Sequence, residues 1–280
     1  MAPLKYDFER VKVDVLDQVA TVFLQWPDGL KKKTKKFHRE LPEALALLRN
    51  DDEIRVVILR GPGDRYFLSP MAGTEDGAGA LDSGDAENRV LTPDNILRGM
   101  SENRQVYEAI LGMPKPVIAM VNGDALGIGA SLAMACDIII AVDDAHITDC
   151  HIANHYWASQ ADVHSGAVPG DGGCVFWPID MSIHLAKEYL FTGRPVTARE
   201  LAERHVINKA VPREELQAAV EEMVDLLLQR PAWALAWTKQ VLNKQLKNHL
   251  ELTLDASSAF QVITARLRQD GERTKGITQL

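Results

Sequence analysis

Apolar residues recur along this chain with two different periods. Runs that alternate or stay apolar, at Val11 to Val15, Val19 to Trp26, Val56 to Arg60, Val117 to Val121 and Ile138 to Val142, predict strands. Between several of them apolar residues step by three and four, over His38 to Asn50, Glu102 to Leu111 and Ala130 to Ala135, which predicts helices. Repetition of strand, crossover helix and next strand implies mostly parallel pairing with both sheet faces covered. The fold class is therefore α/β.

From Ser182 onward the pattern turns to helix after helix: Ser182 to Phe191, Ala198 to Arg204, Glu214 to Gln229, Ala232 to Lys247 and Glu251 to Arg268, with only Ile207 to Val211 extended. This divides the chain into a core over residues 1–200 and a helical C-terminal region over 201–280. The last helices carry Leu250, Leu252, Leu254, Phe260, Val262 and Ile263 on more than one face, more than the single stripe of a surface helix. The excess face fits packing against another subunit.

Composition narrows the class further. A chain of 280 residues with 46% apolar and 25% charged residues has the make-up of a globular protein, which excludes disorder as the main state. A net charge of -8 argues against a general affinity for nucleic acid or acidic lipid, since neutralising phosphates requires a basic surface. Cys136, Cys150 and Cys174 have neither a disulfide-framework pattern nor the spacing of a zinc site. The first residues lack an apolar core of signal-peptide length, and the run Leu132 to Val142 is interrupted by Asp137. Together these point to a cytoplasmic, non-membrane protein. Two segments read as loops: the acidic, Gly-rich Gly73 to Asn88, expected to be mobile without a ligand, and the basic run Lys31 to Lys36, expected to be solvated.

Two stretches carry candidate chemistry. In Lys115 to Val142 a buried strand enters a Gly-rich turn and then a helix of small residues. The amides around Gly127, Ile128 and Gly129 lie where a helix begins, so unpaired donors and the helix dipole offer a place for an oxyanion or phosphate. Spacing alone allows a second reading, in which the glycines only permit a tight turn and close packing. The second stretch crowds His146, His151, His155, His164 and Asp171 into one predicted loop. Imidazole titrates near neutrality and a carboxylate can fix its tautomer, so this cluster suggests general acid/base work. Asp171 also reads as a turn or capping residue, His151 as a hydrogen-bonded structural histidine, and Trp157 and Trp177 as either pocket wall or core.

The order of residues Pro116 to Asp137, PVIAMVNGDALGIGASLAMACD, resembles the central signature of the crotonase (enoyl-CoA hydratase/isomerase) superfamily. VVILRG at Val56 to Gly61, VPGDGG at Val168 to Gly173, Leu190 to Pro212 and Leu235 to Lys244 extend the resemblance over most of the chain. It implies a crotonase-like spiral of ββα turns followed by C-terminal helices that assemble homotrimers or dimers of trimers. It also implies an oxyanion hole of two backbone amides, by position those of Ser69 and Ile128. Where hydratases of the family carry two glutamates, this chain has Ser131 and His151, which argues against syn-hydration. Ser69 to Ala72 and the Lys-rich loop depart from the segments that hold coenzyme A, which argues against a CoA thioester substrate.

Gly166 to Pro178 resembles one branch in particular, the 6-oxocamphor hydrolase-like β-diketone hydrolases, which split a C–C bond between two carbonyls without CoA. The resemblance implies a small dicarbonyl substrate and no metal or other cofactor. In this reading Asp171 accepts from one nitrogen of His151, whose other nitrogen deprotonates water, and His155 and His164 are alternative bases. The branch places a histidine near the first helix, here His38, which residue context alone would leave on the surface. It also places an acid in the C-terminal helices, with Glu251 and Asp255 near and Gln261 closer in a gapless comparison. Two other readings remain: a crotonase that processes CoA thioesters as hydratase, isomerase or thioester hydrolase, and a non-catalytic crotonase-fold binding protein.

Overall fold

The computed structural model describes residues 8, 10–24, 37–68, 93–152 and 166–269. Strands β1 (Val11–Leu16) and β2 (Val19–Leu24) form an antiparallel hairpin, followed by helix α1 (Phe37–Arg49). Then come β3 (Val56–Arg60), β4 (Tyr66–Leu68), α2 (Pro93–Leu111), β5 (Val117–Val121), β6 (Asp124–Leu126), α3 (Ile128–Met134), β7 (Ile138–Val142) and β8 (Ile147–Thr148). The remainder is α4 (Gly173–Asp180), α5 (Ile183–Thr192), α6 (Ala198–Glu203), β9 (Lys209–Val211), a 3-10 turn at Arg213–Glu215, α7 (Leu216–Leu228) and α8 (Ala232–Gln269).

Each longer strand from β3 onward is followed at once by a short one, and the two kinds sort into separate sheets. The larger sheet runs β1-β2-β3-β5-β7-β9, parallel after its first hairpin, and the smaller runs β4-β6-β8, parallel throughout. This is the expected spiral of ββα turns. Every residue of β5 is buried, as a strand covered on both faces requires, and Phe37, Leu41, Ala44, Leu45 and Leu48 of α1 turn inward at three- and four-residue steps. The extended segment foreseen near Ile207 is β9, which returns to pair with β7.

Three differences from the sequence reading have physical reasons. β4, β6 and β8 span two or three residues, too few for any period to show. Helix α2 starts at Pro93, well before Glu102; proline at a first helical position has no amide to leave unpaired. The two helices expected over Ala232 to Arg268 are one helix of 38 residues, with no Gly or Pro to break it. Among the described residues no helix is long and apolar enough to cross a membrane.

Helix α8 is fastened along its length. Lys239 donates to the Asp137 carboxylate at 2.6 Å, Asn243 to the Leu111 carbonyl at 3.0 Å, and Ser258 to the Gly170 carbonyl at 2.6 Å. Arg104 of α2 holds Glu251 at 2.6 Å and Asp255 at 2.8 Å. Its outward positions include Trp233, Trp237, Val241, Leu242, Phe260 and Ile263, large apolar side chains in contact with solvent.

Candidate active site

Parallel pairing brings three chain exits together at the carboxyl edge of the small sheet. Leu68 pairs with Ala125 and Leu126 with Thr148, so the segments that leave β4, β6 and β8 start side by side. From β6 the chain turns through Gly127, with φ +57°, a conformation glycine adopts without strain, directly into α3. A side chain at Gly129 would collide with the carbonyl of Leu68, so only glycine lets the two segments approach this closely. Gly127 donates to the Thr148 carbonyl at 3.0 Å, which ties the turn to β8.

The Ile128 amide is the first of α3. Among the described residues no carbonyl or side chain accepts from it, as expected for a donor in the first helical turn. Its counterpart in the expected oxyanion hole, Ser69, lies outside the described residues, as do His155, His164 and Trp157, the Lys31 to Lys36 run and the Gly73 to Asn88 loop.

Beyond β8 the chain delivers Asp149 and His151. The ring of His151 lies between two carboxylates, with Nδ1 3.0 Å from Asp149 Oδ1 and Nε2 3.3 Å from Asp171 Oδ2. The group packs onto the Gly127 turn. An atom at the Cβ position of Gly127 would be 3.5 Å from His151 Cε1, 3.6 Å from Cys150 Sγ and 3.8 Å from Asp171 Oδ2. The sequence reading brought His151, Asp171 and Ile128 to one place, and the fold puts them there.

One part of that reading needs correction. The second nitrogen of His151 does not face water, because Asp149 occupies it. Asp149 was missed because a lone acid after a two-residue strand has no periodic context. Its signal was the spacing to His151, since an Asp two residues ahead can accept that residue's amide in an Asx turn, and Asp149 does so at 3.0 Å.

Burial, the largest single influence on the ring of His151, pulls it toward the neutral form. Asp171 and Asp149 together outweigh burial and hold it well above the ordinary histidine value, which favours the charged ring. Tyr107 of α2, buried and tilted against Phe176, donates its hydroxyl to the backbone carbonyl of Asp171. Burial, reinforced by the Asp171 carboxylate, raises that hydroxyl well above the tyrosine range, so it stays a donor. Burial also pushes the thiols of Cys150 and Cys174 up to about 12 and about 11, which removes both as thiolate nucleophiles.

Other candidates fall elsewhere. Trp177 is 0% exposed and edge-on to Tyr189 at 5.6 Å; it fills the core and does not line a pocket. Glu251 points to solvent and is engaged by Arg104. His38 sits in the first turn of α1, half-buried, and is not among the groups that set the charge of His151. Ser131 is fully buried in α3. From α8 Gln261 reaches the loop beside Ser258 and Thr264, its side chain against Gly170, one residue before Asp171.

Ligand atoms of Asp149, His151 and Asp171 lie within 4.8 Å of one another. The two carboxylates address opposite nitrogens of the ring, however, so a cation bridged by both would have to displace the imidazole. The arrangement fits a proton relay better than a metal cradle.

Residues 16–279 match the family model described as enoyl-CoA hydratase/isomerase. A curated relative, crotonyl-CoA hydratase from Syntrophomonas wolfei, is 27% identical over 244 residues, which cover 87% of this chain and 85% of the relative. A solved enoyl-CoA hydratase/isomerase from Mycobacterium paratuberculosis superposes with a TM-score of 0.73 at 26% identity, covering 93% of this chain and 95% of its own. A β-diketone hydrolase from the cyanobacterium Anabaena, solved with (S)-3-oxocyclohexyl acetic acid, has the same TM-score and identity and covers 93% of this chain and 96% of its own.

Proposed function

Since the chain belongs to the enoyl-CoA hydratase/isomerase family, the crotonase superfamily, we propose that it is a hydrolase that cleaves the C–C bond between the carbonyls of a β-diketone. The observation that carries this reading is the ring of His151, set between Asp149 and Asp171 against the turn that presents the Ile128 amide.

A retro-Claisen cleavage needs a base for water, a place for an oxyanion and an acid for the departing carbon. Asp171 Oδ1 is buried with no partner among the described residues, a capacity that a water molecule would fill. Asp171 takes a proton from that water as its oxygen attacks one ketone carbon. The Ile128 amide and the adjacent imidazolium stabilise the resulting oxyanion; a single fixed donor in a dry site supplies about 2.7–4 kcal/mol in a protease example. Collapse breaks the bond to the carbon between the carbonyls, and its electron pair is delocalised into the second carbonyl as an enolate. The proton held by Asp171 passes to that carbon. The products are a carboxylic acid and a ketone, joined in one molecule when the substrate is cyclic, and the site returns to its starting charge. Water supplies every atom gained, so the reaction needs no oxidant.

The similarity to the Anabaena β-diketone hydrolase supports this reading, as does Ser131 at a position where the family's hydratases carry a glutamate. A second reading, action on a CoA thioester, is favoured by relatives such as the Syntrophomonas crotonyl-CoA hydratase. A trimer or dimer of trimers is part of the proposal, supported by the apolar outer face of α8. Incubation with cyclic 1,3-diketones, followed by loss of enol absorbance, tests the first reading. Turnover that disappears in Asp171→Asn supports it; no turnover together with tight CoA binding by calorimetry would replace it with the second.

A further inference from the structure

We propose that Asp149 is the positioning residue of this site, a buried carboxylate that locks the His151 ring through Nδ1 and so leaves Asp171 free to meet the water. The kinetic part rests on the function proposed above; the geometric part does not.

The two carboxylates beside His151 are held in unlike ways. Asp149 is 1% exposed, and its Oδ1 receives both the backbone amide of His151 and the ring nitrogen Nδ1, each at 3.0 Å. A single oxygen thus fixes the backbone and the ring of one residue, which restricts the torsions that would let the imidazole swing. The other oxygen of Asp149 lies where Gly173, the first residue of α4, has no side chain; any Cβ there would collide with it. That oxygen lies beside the first residue of α4 and has no hydrogen-bond partner among the described residues.

Asp171 has a looser hold on the ring. Its contact with Nε2 is 3.3 Å, its side chain keeps 17% exposure, and its second oxygen has no partner among the described residues. What the structure secures at Asp171 is the backbone, through the hydroxyl of Tyr107. Each carboxylate keeps one oxygen without a partner among the described residues, so the two differ in rigidity and access: Asp149 is 1% exposed and holds the amide and ring of His151 at 3.0 Å, whereas Asp171 is 17% exposed and holds the ring at 3.3 Å. An orienting group should be rigid and enclosed, as Asp149 is, and a reacting group accessible, as Asp171 is. Among the described residues the groups that face the ring are Asp149 and Cys150 from its own segment, Asp171 from the turn before α4, and Cys174 from α4.

The first test needs no substrate. Nitrogen-15 NMR of the His151 ring in the full-length wild-type protein, followed as pH rises, should show the neutral ring keeping its proton on Nδ1, toward Asp149. A neutral ring with its proton on Nε2 would overturn the proposal, even if no Asp149 variant folds. In Asp149→Asn the loss of a negative neighbour should move the imidazolium titration to lower pH by about 1–3 units. With diketone as substrate, kcat should fall on the order of 10²–10⁴-fold. KM should change little, and the alkaline limb of the pH–rate profile should shift down with the ring. An unmoved titration and alkaline limb would give Asp149 a merely structural role. If wild type turns over no diketone, the function reading fails, while the NMR result still decides the role of Asp149.

Discussion

Two groups of charged side chains among the described residues differ in how completely they are satisfied. Where α8 crosses the core, Asp137 accepts from Lys239 at 2.6 Å and from the Val117 amide at 2.7 Å, and Lys239 donates again to the Lys115 carbonyl at 3.2 Å. Burial pushes Asp137 up and Lys239 down, each toward its neutral form, and their mutual attraction offsets this only in part. At the carboxyl edge of the small sheet, Asp149 and Asp171 each keep one oxygen without a partner among the described residues. The first group costs more in desolvation than it returns and serves to fix α8 in register. The second withholds hydrogen bonds that a structural role would have used. Incomplete satisfaction is what marks it as chemical.

The sharpest break would come from reversing these roles. Asp171→Asn should lower diketone turnover on the order of 10³–10⁴-fold, about 4–5.5 kcal/mol in the barrier, with the thermal unfolding midpoint nearly unchanged. A variant that lost stability and kept its rate would make Asp171 a turn-former and dissolve the contrast. The complementary change is Lys239→Met, which leaves the partly exposed Asp137 without its cation. It should destabilise by about 1–3 kcal/mol in urea unfolding, with kcat per folded molecule little altered. If the two variants behaved alike, satisfaction would have no diagnostic value here.

Much of this contrast was legible in the sequence, for reasons tied to particular residues. The five strands of the large sheet first identified carry continuous or alternating apolar runs, and the Gly127 turn showed itself through glycines between a buried strand and a small-residue helix. His151 and Asp171 were brought together by the resemblance to one branch of the family, although they are 20 residues apart and no local period joins them. Asp149 was not legible as a partner, because its importance comes from β8 ending beside β6, a pairing of two residues that leaves no pattern. Lys239 and Asp137 were equally silent. Both sit in ordinary helical and strand contexts, and only the crossing of α8 over the core makes them a pair. Trp177 went to the core because a large ring on the buried face of α4 gains more from packing on Tyr189 than from lining a wet pocket.

A further, partly buried acid gives the comparison an intermediate case. Asp180, at the end of α4, has no cationic partner among the described residues, and burial alone pushes its carboxyl up to about 7. Unlike Asp171 it has no imidazole beside it and lies outside the proton relay, so its burial brings a cost and no catalytic return. Asp180→Asn should therefore stabilise the protein by about 1–3 kcal/mol, once the group is ionised in both states. The sign follows from its raised folded-state value. Below the ordinary aspartate range the carboxyl is protonated folded and unfolded, so the variant gains nothing. As pH rises toward 7 the unfolded chain releases the proton first, wild-type stability falls, and the advantage of the variant grows to its full size above 7. Unfolding midpoints compared at pH 4 and pH 8 check this, and an advantage larger at pH 4 would contradict it.

The smallest expected effect decides whether α8 contributes an acid to the chemistry. Glu251 is the C-terminal acid that the resemblance brought forward, yet its side chain is 72% exposed and its carboxylate is taken by Arg104, itself also held by Asp255 at 2.8 Å. Removing the charge by Glu251→Gln leaves Arg104 with a second partner, so the stability change should stay within about 0.5 kcal/mol, as for exposed ion pairs generally. Turnover should not change, because neither the relay nor the Ile128 amide touches this part of the helix. The residues of α8 that reach the site loop include Gln261, Ser258 and Thr264, and none of them is a carboxylic acid. A tenfold loss of kcat in Glu251→Gln would show that an acid on α8 takes part in protonating the leaving carbon. Asp171 could then no longer be credited with both proton transfers, and the boundary between the structural and chemical charge groups would have to be redrawn through α8.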